Sequence, residues 1–165
     1  MKTIHDLQNL NDKKVLLRLD LNVPIKDKII KDDTRINKIL PILNFLLKKK
    51  AKIIIISHVG RPKGKVNTEL SMKPICEYLE KKIYQKIKLI TEDIRKIKDK
   101  NLFKSLGQNI LILENIRFYP EEEDNDLDFA KHLASFADIY VNDAFSCSHR
   151  AHASVTNITK FLPSY

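Results

Sequence analysis

A chain of 165 residues, 43% apolar and 31% charged, reads as one soluble globular domain with a real core. No window approaches 18 consecutive apolar residues, and the charged Met1–Leu10 segment lacks an apolar stretch; neither a helical membrane span nor a secretory signal is expected. The net charge of +9 invites a nucleic-acid reading, but the lysines are spread along helical faces without interleaved aromatic residues, so solvated surface lysine is the preferred account.

In chain order, Val15–Leu19 is a predicted strand. Thr34–Lys49 is a predicted helix, with Ile36, Ile39, Leu40, Leu43, Leu46 and Leu47 at helical spacing. Lys52–Ile56, with four consecutive isoleucines, is a buried strand. Ser71 is a candidate cap for a helix to about Lys82, with Pro74 in its first turn. Lys86–Ile90 is a strand, and Thr91 or Glu92 opens a charged helix. Ile110–Leu113 is a strand, Asp124 or Asn125 starts a helix through about Ala137, and Ile139–Val141 is the last strand. Apolar strands alternating with helices predict an α/β fold: a Rossmann-like open parallel sheet with helices on both faces, in three layers. No internal repeat or linker divides it.

Polar motifs follow the strand ends at Asp20–Pro24, Ser57–Pro62, Glu114–Pro120 and Asn142–His152. Ligands of open α/β sheets bind outside the carboxyl ends of the strands, so these four loops are expected to converge. Arginine usage points the same way. The chain has six arginines against 24 lysines, and Arg18, Arg35, Arg61, Arg117 and Arg150 lie in or beside these segments. A planar guanidinium grips phosphate or carboxylate with a fork that lysine lacks. The pattern predicts a site for a small, multiply anionic ligand.

Each segment carries an alternative. If Leu17 and Leu19 face one side of their strand, Arg18 and Asp20 face the other and can pair. Asp20 and Asn22 could accept ligand hydroxyls or make only an Asx turn. Arg35, in a first helical turn where the dipole disfavours a cation, reads as functional or as a surface pair with Asp32 or Asp33. His58 and Arg61 offer donors beside Gly60, which permits close backbone approach. The acidic run Glu121–Asp124 reads as solvated surface and helix capping. Cys147, His149 and His152 lack a zinc-ligand spacing and a fourth ligand, and Cys147 has no evident base to activate it. Cys76 and Cys147, far apart, fit a reducing cytoplasm. With glycine only at 60, 64 and 107, neither dinucleotide nor Walker-type phosphate loops can be built in their usual form.

Taken together, Arg18-x-Asp20-x-Asn22-x-Pro24, Asp33-Thr34-Arg35-Ile36, Ser57-His58-x-Gly60-Arg61-Pro62, Glu114-Asn115-x-Arg117-Phe118, Asn142-Asp143-Ala144-Phe145 and His149-Arg150-Ala151-His152-Ala153-Ser154 resemble phosphoglycerate kinase, in order and spacing, from Val15 to Ser154. The resemblance implies two Rossmann-like domains around a cleft, with residues 1–165 as the N-terminal substrate-binding domain. It implies that Asp20 and Asn22 hold the glycerate hydroxyl and carboxyl end of 3-phosphoglycerate or 1,3-bisphosphoglycerate. His58, Arg61, Arg117 and Arg150 would surround the substrate phosphate, and Arg35 would reach the transferring phosphoryl group. Gly60 and His149 would be supporting residues, with Asp143 beside them. Mg-ATP or Mg-ADP is expected on a nucleotide domain beyond Tyr165, so the chain by itself is expected to be catalytically incomplete, with no cofactor or metal of its own. A cytoplasmic monomer without nucleic-acid or membrane partners is implied as well. Ser146-Cys147-Ser148 departs from the Gly-Thr-Ala-type segment of many relatives. The rival reading is a free-standing module that binds a sugar-phosphate-like anion without catalysis. A further rival is an incomplete product with apolar surface bared near Phe161 and Leu162.

Overall fold

The computed structural model describes residues 2–104 and 107–165. Five parallel strands form the main sheet: β1 (Lys14–Arg18), β4 (Lys52–Ile56), β5 (Lys88–Ile90), β6 (Ile110–Leu113) and β7 (Ile139–Asn142), in the spatial order β5-β6-β4-β1-β7. Their alternation sorts the core into two layers. Val15, Leu17, Ile53, Ile55, Ile110 and Ile112 face α1 (Thr34–Lys48) and α2 (Lys73–Ile83). Leu16, Ile54, Ile56, Leu111, Leu113 and Tyr140 face the opposite layer, built on α4 (Leu127–Ala134) through Phe129, Ala130 and Leu133. The three-layer α/β architecture expected from the strand–helix alternation is therefore the observed one.

Helix α1 buries Ile36, Ile39, Leu43 and Leu46, the face its apolar spacing specifies. It stops where Lys50 turns left-handed (φ +59°): Lys50 N–H donates to Leu47 O and Ala51 N–H to Leu46 O, the paired bonds of a Schellman ending. Asp33 occupies the cap position of α1, but its carboxylate accepts from the Tyr78 hydroxyl; Asp32 accepts the Thr34 N–H instead. At α2 the Ser71 hydroxyl accepts the Lys73 N–H, and Glu114 accepts the Met72 N–H and the Ser71 hydroxyl, so a carboxylate sits at the positive end of the helix.

Two helix expectations need correction. Thr91 or Glu92 opens no charged helix; Ile94–Lys96 is a single 3-10 turn. Only Ile94 and Ile97 offer apolar surface there, and Asp93 bonds the Arg95 N–H and guanidinium, competing with helical bonding. The helix expected from Asp124 or Asn125 starts at Leu127, because Asn125 is left-handed (φ +50°) and Asp126 is the cap, accepting the Phe129 N–H. A separate turn, α3 (Pro120–Glu123), precedes it. A hairpin that the sequence reading did not anticipate joins β2 (Ile25–Lys26) to β3 (Ile29–Ile30). Its turn places Asp27 and Lys28 both at positive φ without any glycine to signal it.

Residues 163–165 run beside β7: the Tyr140 N–H donates to Pro163 O, and Asn142 N–H to Tyr165 O. Phe161 and Leu162 are half-buried against the second core layer. Among the described residues no helix is long and apolar enough to cross a membrane.

Candidate functional site

Strand register builds the site. Arg18 lies level with Ile56 on one side and Asn142 on the other, so the segments after β1, β4 and β7 leave the sheet side by side. The loop after β6 joins them, with Ile116 N–H donating to Ser57 O. The Ser57 hydroxyl ties the first two loops together: it donates to Leu19 O (2.7 Å) and accepts from the Leu21 N–H (3.1 Å). Asn115, fully buried, does the same on the other flank. Its amide donates to Val59 O and Leu70 O, and its carbonyl accepts from the Arg117 N–H.

These ties leave a cleft of about 230 Å³ at the carboxyl edge of the sheet. It is lined by Asp20, Asn22 and Arg35, by His58, Gly60 and Arg61 from the loop after β4, and by Arg117 and Arg150. Four loops and the first turn of α1 thus deliver all seven expected ligand-binding residues to one place, together with the supporting Gly60. A larger hollow of about 430 Å³ beside Glu77, Glu80, Lys81, Tyr84 and Lys86 balances two carboxylates with two lysines and is lined by no arginine. His149 is exposed and does not line the cleft; Ser146 and Cys147, from the same loop, do.

Asp20 is held on both oxygens. Oδ1 accepts from Arg35 Nη1 at 3.0 Å and Oδ2 from the Ser146 hydroxyl at 2.7 Å. Arg35 therefore pairs with Asp20, and its Nη1 also donates to Asn22 O; it does not pair with Asp32 or Asp33. Asp20 does not pair with Arg18, contrary to the alternation argument. Leu17 and Leu19 do share a core face, and Arg18 does point the other way, but the chain leaves the pleat after Arg18 and Asp20 turns toward α1. The Asn22 carbonyl accepts the Gly60 N–H at 3.0 Å, which fixes its amide NH₂ as the group left to a ligand. Asn22 is thus oriented as a donor, where acceptance from a ligand hydroxyl was expected. Gly60 is left-handed (φ +62°), and a Cβ there would lie 2.7 Å from Leu70 Cδ2.

Behind this surface sits a buried polar layer. Arg18 is fully buried; its Nη1 donates to Leu19 O at 3.0 Å and its Nη2 lies 3.2 Å from His58 Nδ1. Burial first, and then the cations of Arg18, Arg117 and Arg150, push His58 down to about 2, so its ring is neutral. Glu122, read from sequence as solvated, is wholly buried in α3. Its Oε1 accepts the Ser154 hydroxyl at 2.6 Å and Oε2 the Ser154 N–H at 3.2 Å, while Ser154 O accepts the Tyr140 hydroxyl. Burial raises the Glu122 carboxyl above its usual range, partly opposed by Arg18. His152 is buried beside it, with Nδ1 4.0 Å from Glu122 Oε1 and unbonded; burial, then Arg117, lowers it. Among the described residues no group of three or more His, Cys, Asp or Glu side chains could hold a metal ion.

The charge balance of the cleft favours an anion. Asp20 offsets Arg35, and Glu123 lies 3.7 Å from Arg117, whose Nε has no hydrogen-bond partner. Among the described residues the guanidiniums of Arg61 and Arg150 make neither ion pair nor side-chain hydrogen bond. Arginine donors left unspent in a cleft of this size suit a small phosphorylated or carboxylated molecule.

Known proteins share this fold. The solved phosphoglycerate kinase of Coxiella burnetii superposes with a TM-score of 0.84 at 34% identity, over 98% of this chain and 39% of that one. Among curated sequences, the phosphoglycerate kinase of Wolbachia sp. subsp. Drosophila simulans (strain wRi) is 52% identical over 157 residues, 95% of this chain and 39% of the relative. That of Wolbachia sp. subsp. Brugia malayi (strain TRS) is 48% identical across 100% of this chain and 42% of its own length. The chain thus spans about two-fifths of the length of the curated relatives it matches. The family model described as phosphoglycerate kinase matches residues 4–165, and on that match the chain belongs to the phosphoglycerate kinase family.

Proposed function

We propose that these residues form the N-terminal, phosphoglycerate-binding domain of an enzyme that transfers an acyl phosphate reversibly between 1,3-bisphosphoglycerate and ADP, giving 3-phosphoglycerate and ATP. The observation that carries this reading is the cleft: four arginines and a neutral histidine, brought from separate segments, face about 230 Å³ with two guanidiniums unspent. Phosphoryl transfer asks a protein mainly for positioning and charge neutralisation, which such a set supplies without a nucleophile.

The roles follow from the bonds already made. Asp20, held by Arg35 and Ser146, keeps lone pairs to accept the glycerate hydroxyl. The Asn22 amide donates to the carboxyl end, because its carbonyl is spent on Gly60. Arg61, Arg117 and Arg150 take the substrate phosphate, and the His58 ring N–H adds a neutral donor. Arg35 uses Nη1 on Asp20 and Asn22, leaving the rest of its half-exposed fork for charge developing on the transferring phosphoryl group. In this reading the Mg-nucleotide is held by the second domain that the family resemblance implies. By themselves these 165 residues bind phosphoglycerate and do not turn it over. The same reading carries a cytoplasmic monomer without a nucleic-acid partner.

Calorimetric titration with 3-phosphoglycerate tests it. Saturable one-site binding is expected, weakened about tenfold to a hundredfold by Arg61→Ala, the loss of one charge-assisted contact. Binding that is indifferent to Arg61, or no stronger than that of sulfate, would overturn the assignment. Turnover by the 165 residues in a coupled assay would overturn the claim of incompleteness.

A further inference from the structure

We propose that Arg18 is a positioning residue that fixes the tautomer of His58, so that the cleft is served by a neutral Nε2–H donor; its value for phosphoglycerate rests on the reading of the cleft given above. The argument begins with an asymmetry. A guanidinium carries only donors, so an Arg18 Nη2 that lies 3.2 Å from His58 Nδ1 obliges that nitrogen to accept and to carry no proton. The ring proton is then on Nε2. This nitrogen has no hydrogen-bond partner among the described residues, yet it is not one of the closed-off polar atoms, and His58 lines the cleft. Its opening is the ligand space.

Arg18 itself has little freedom. It is fully buried, its Nη1 is bonded to Leu19 O, and Ser57 locks that same carbonyl to the β4 end one residue before His58. The cations acting most strongly on the ring are Arg18 on β1, Arg117 after β6 and Arg150 after β7, with His152 beside them; Arg35 and Arg61 line the same cleft, and the carboxylate there, Asp20, is already paired with Arg35 and Ser146. An imidazolium here would face three guanidiniums from a buried position, and burial with these neighbours holds His58 down to about 2. The consequence is a division of labour. The arginines carry the charge, and the histidine supplies one directed hydrogen bond whose strength does not change between pH 5 and 8.

Nitrogen-15 NMR of ring-labelled histidines tests this, first on the protein without ligand. The expected result is a His58 ring protonated on Nε2 only, with no titration between pH 5 and 8. A ring protonated on Nδ1, or an imidazolium at pH 6, overturns the proposal. In Arg18→Met the fixed tautomer is expected to be lost and 3-phosphoglycerate binding to weaken at least tenfold. Arg18→Lys, which keeps a donor near Nδ1, is expected to retain the Nε2–H form. If Arg18→Met does not fold, the lysine variant and the parent spectrum still decide. An unchanged tautomer in a folded Arg18→Met refutes the positioning role. Addition of 3-phosphoglycerate separates the two layers of inference: a His58 ring of the expected tautomer that does not respond refutes the ligand while Arg18 keeps its role.

Discussion

Acid should destabilise this domain through His58, and His58→Asn isolates the effect. Asparagine keeps an acceptor where Nδ1 lies, so Arg18 retains a partner, but it cannot titrate. The native ring is pushed down to about 2, whereas an unfolded histidine protonates near pH 6.5. Below that value the unfolded chain binds a proton that the native one refuses. Stability from this site is complete above about pH 6.5 and is lost as pH falls toward the native value. The slope approaches roughly 1.4 kcal/mol per pH unit below the unfolded value, so about 2.7 kcal/mol of the contribution present at high pH is gone by roughly pH 4.5. His152, also lowered, pulls in the same direction, and Glu122, raised, pulls in the opposite one. Both remain in the variant and drop out of the difference. Urea unfolding of the two proteins from pH 4.5 to 7.5 is the assay. The variant is expected to be the weaker at pH 7.5, by about 1–2 kcal/mol for imperfect packing, and to equal or overtake the parent by pH 4.5. Parallel curves would show that His58 takes up its proton freely in the folded protein and would refute the electrostatic account of the cleft.

Gly60→Ala should lose roughly 1–3 kcal/mol in urea unfolding, from the left-handed φ of +62° and a Cβ only 2.7 Å from Leu70 Cδ2; an unchanged midpoint would mean the loop relaxes freely. Glu122→Ala should cost roughly 2–4 kcal/mol, because it strands the buried Ser154 hydroxyl and N–H, and the thermal midpoint should fall by several degrees. A loss below about 0.5 kcal/mol would mean that water replaces the carboxylate.

What was legible in the sequence divides along a physical line. The four isoleucines of β4 and the apolar spacing of α1 announce burial, because burial is a property of single residues and periods. The convergence of four loops was legible for the same reason: parallel strands all end on one edge. Partnership was not. Alternation said correctly that Arg18 and Leu17 face apart, yet it could not say that Asp20 lies beyond the pleat and meets Arg35, 15 residues on. Glu122 sits in a run of three glutamates with no period to mark the middle one, and only its link to Ser154, 32 residues away, makes it interior. His149 and His152 look alike in sequence; the chain turns one outward and buries the other beside that same glutamate. Each of these misses at the site involves a polar side chain whose environment is set by a distant segment. Spacing within a motif therefore locates a site of this kind, and long-range bonds decide what each of its residues does there. Ser146 shows it most clearly. It offers no motif of its own, and yet its hydroxyl spans 126 residues to hold the second oxygen of Asp20. That hydrogen bond ties the loop bearing Arg150 to the loop bearing Asp20, and it joins the Ser57 and Asn115 bonds in holding the cleft together.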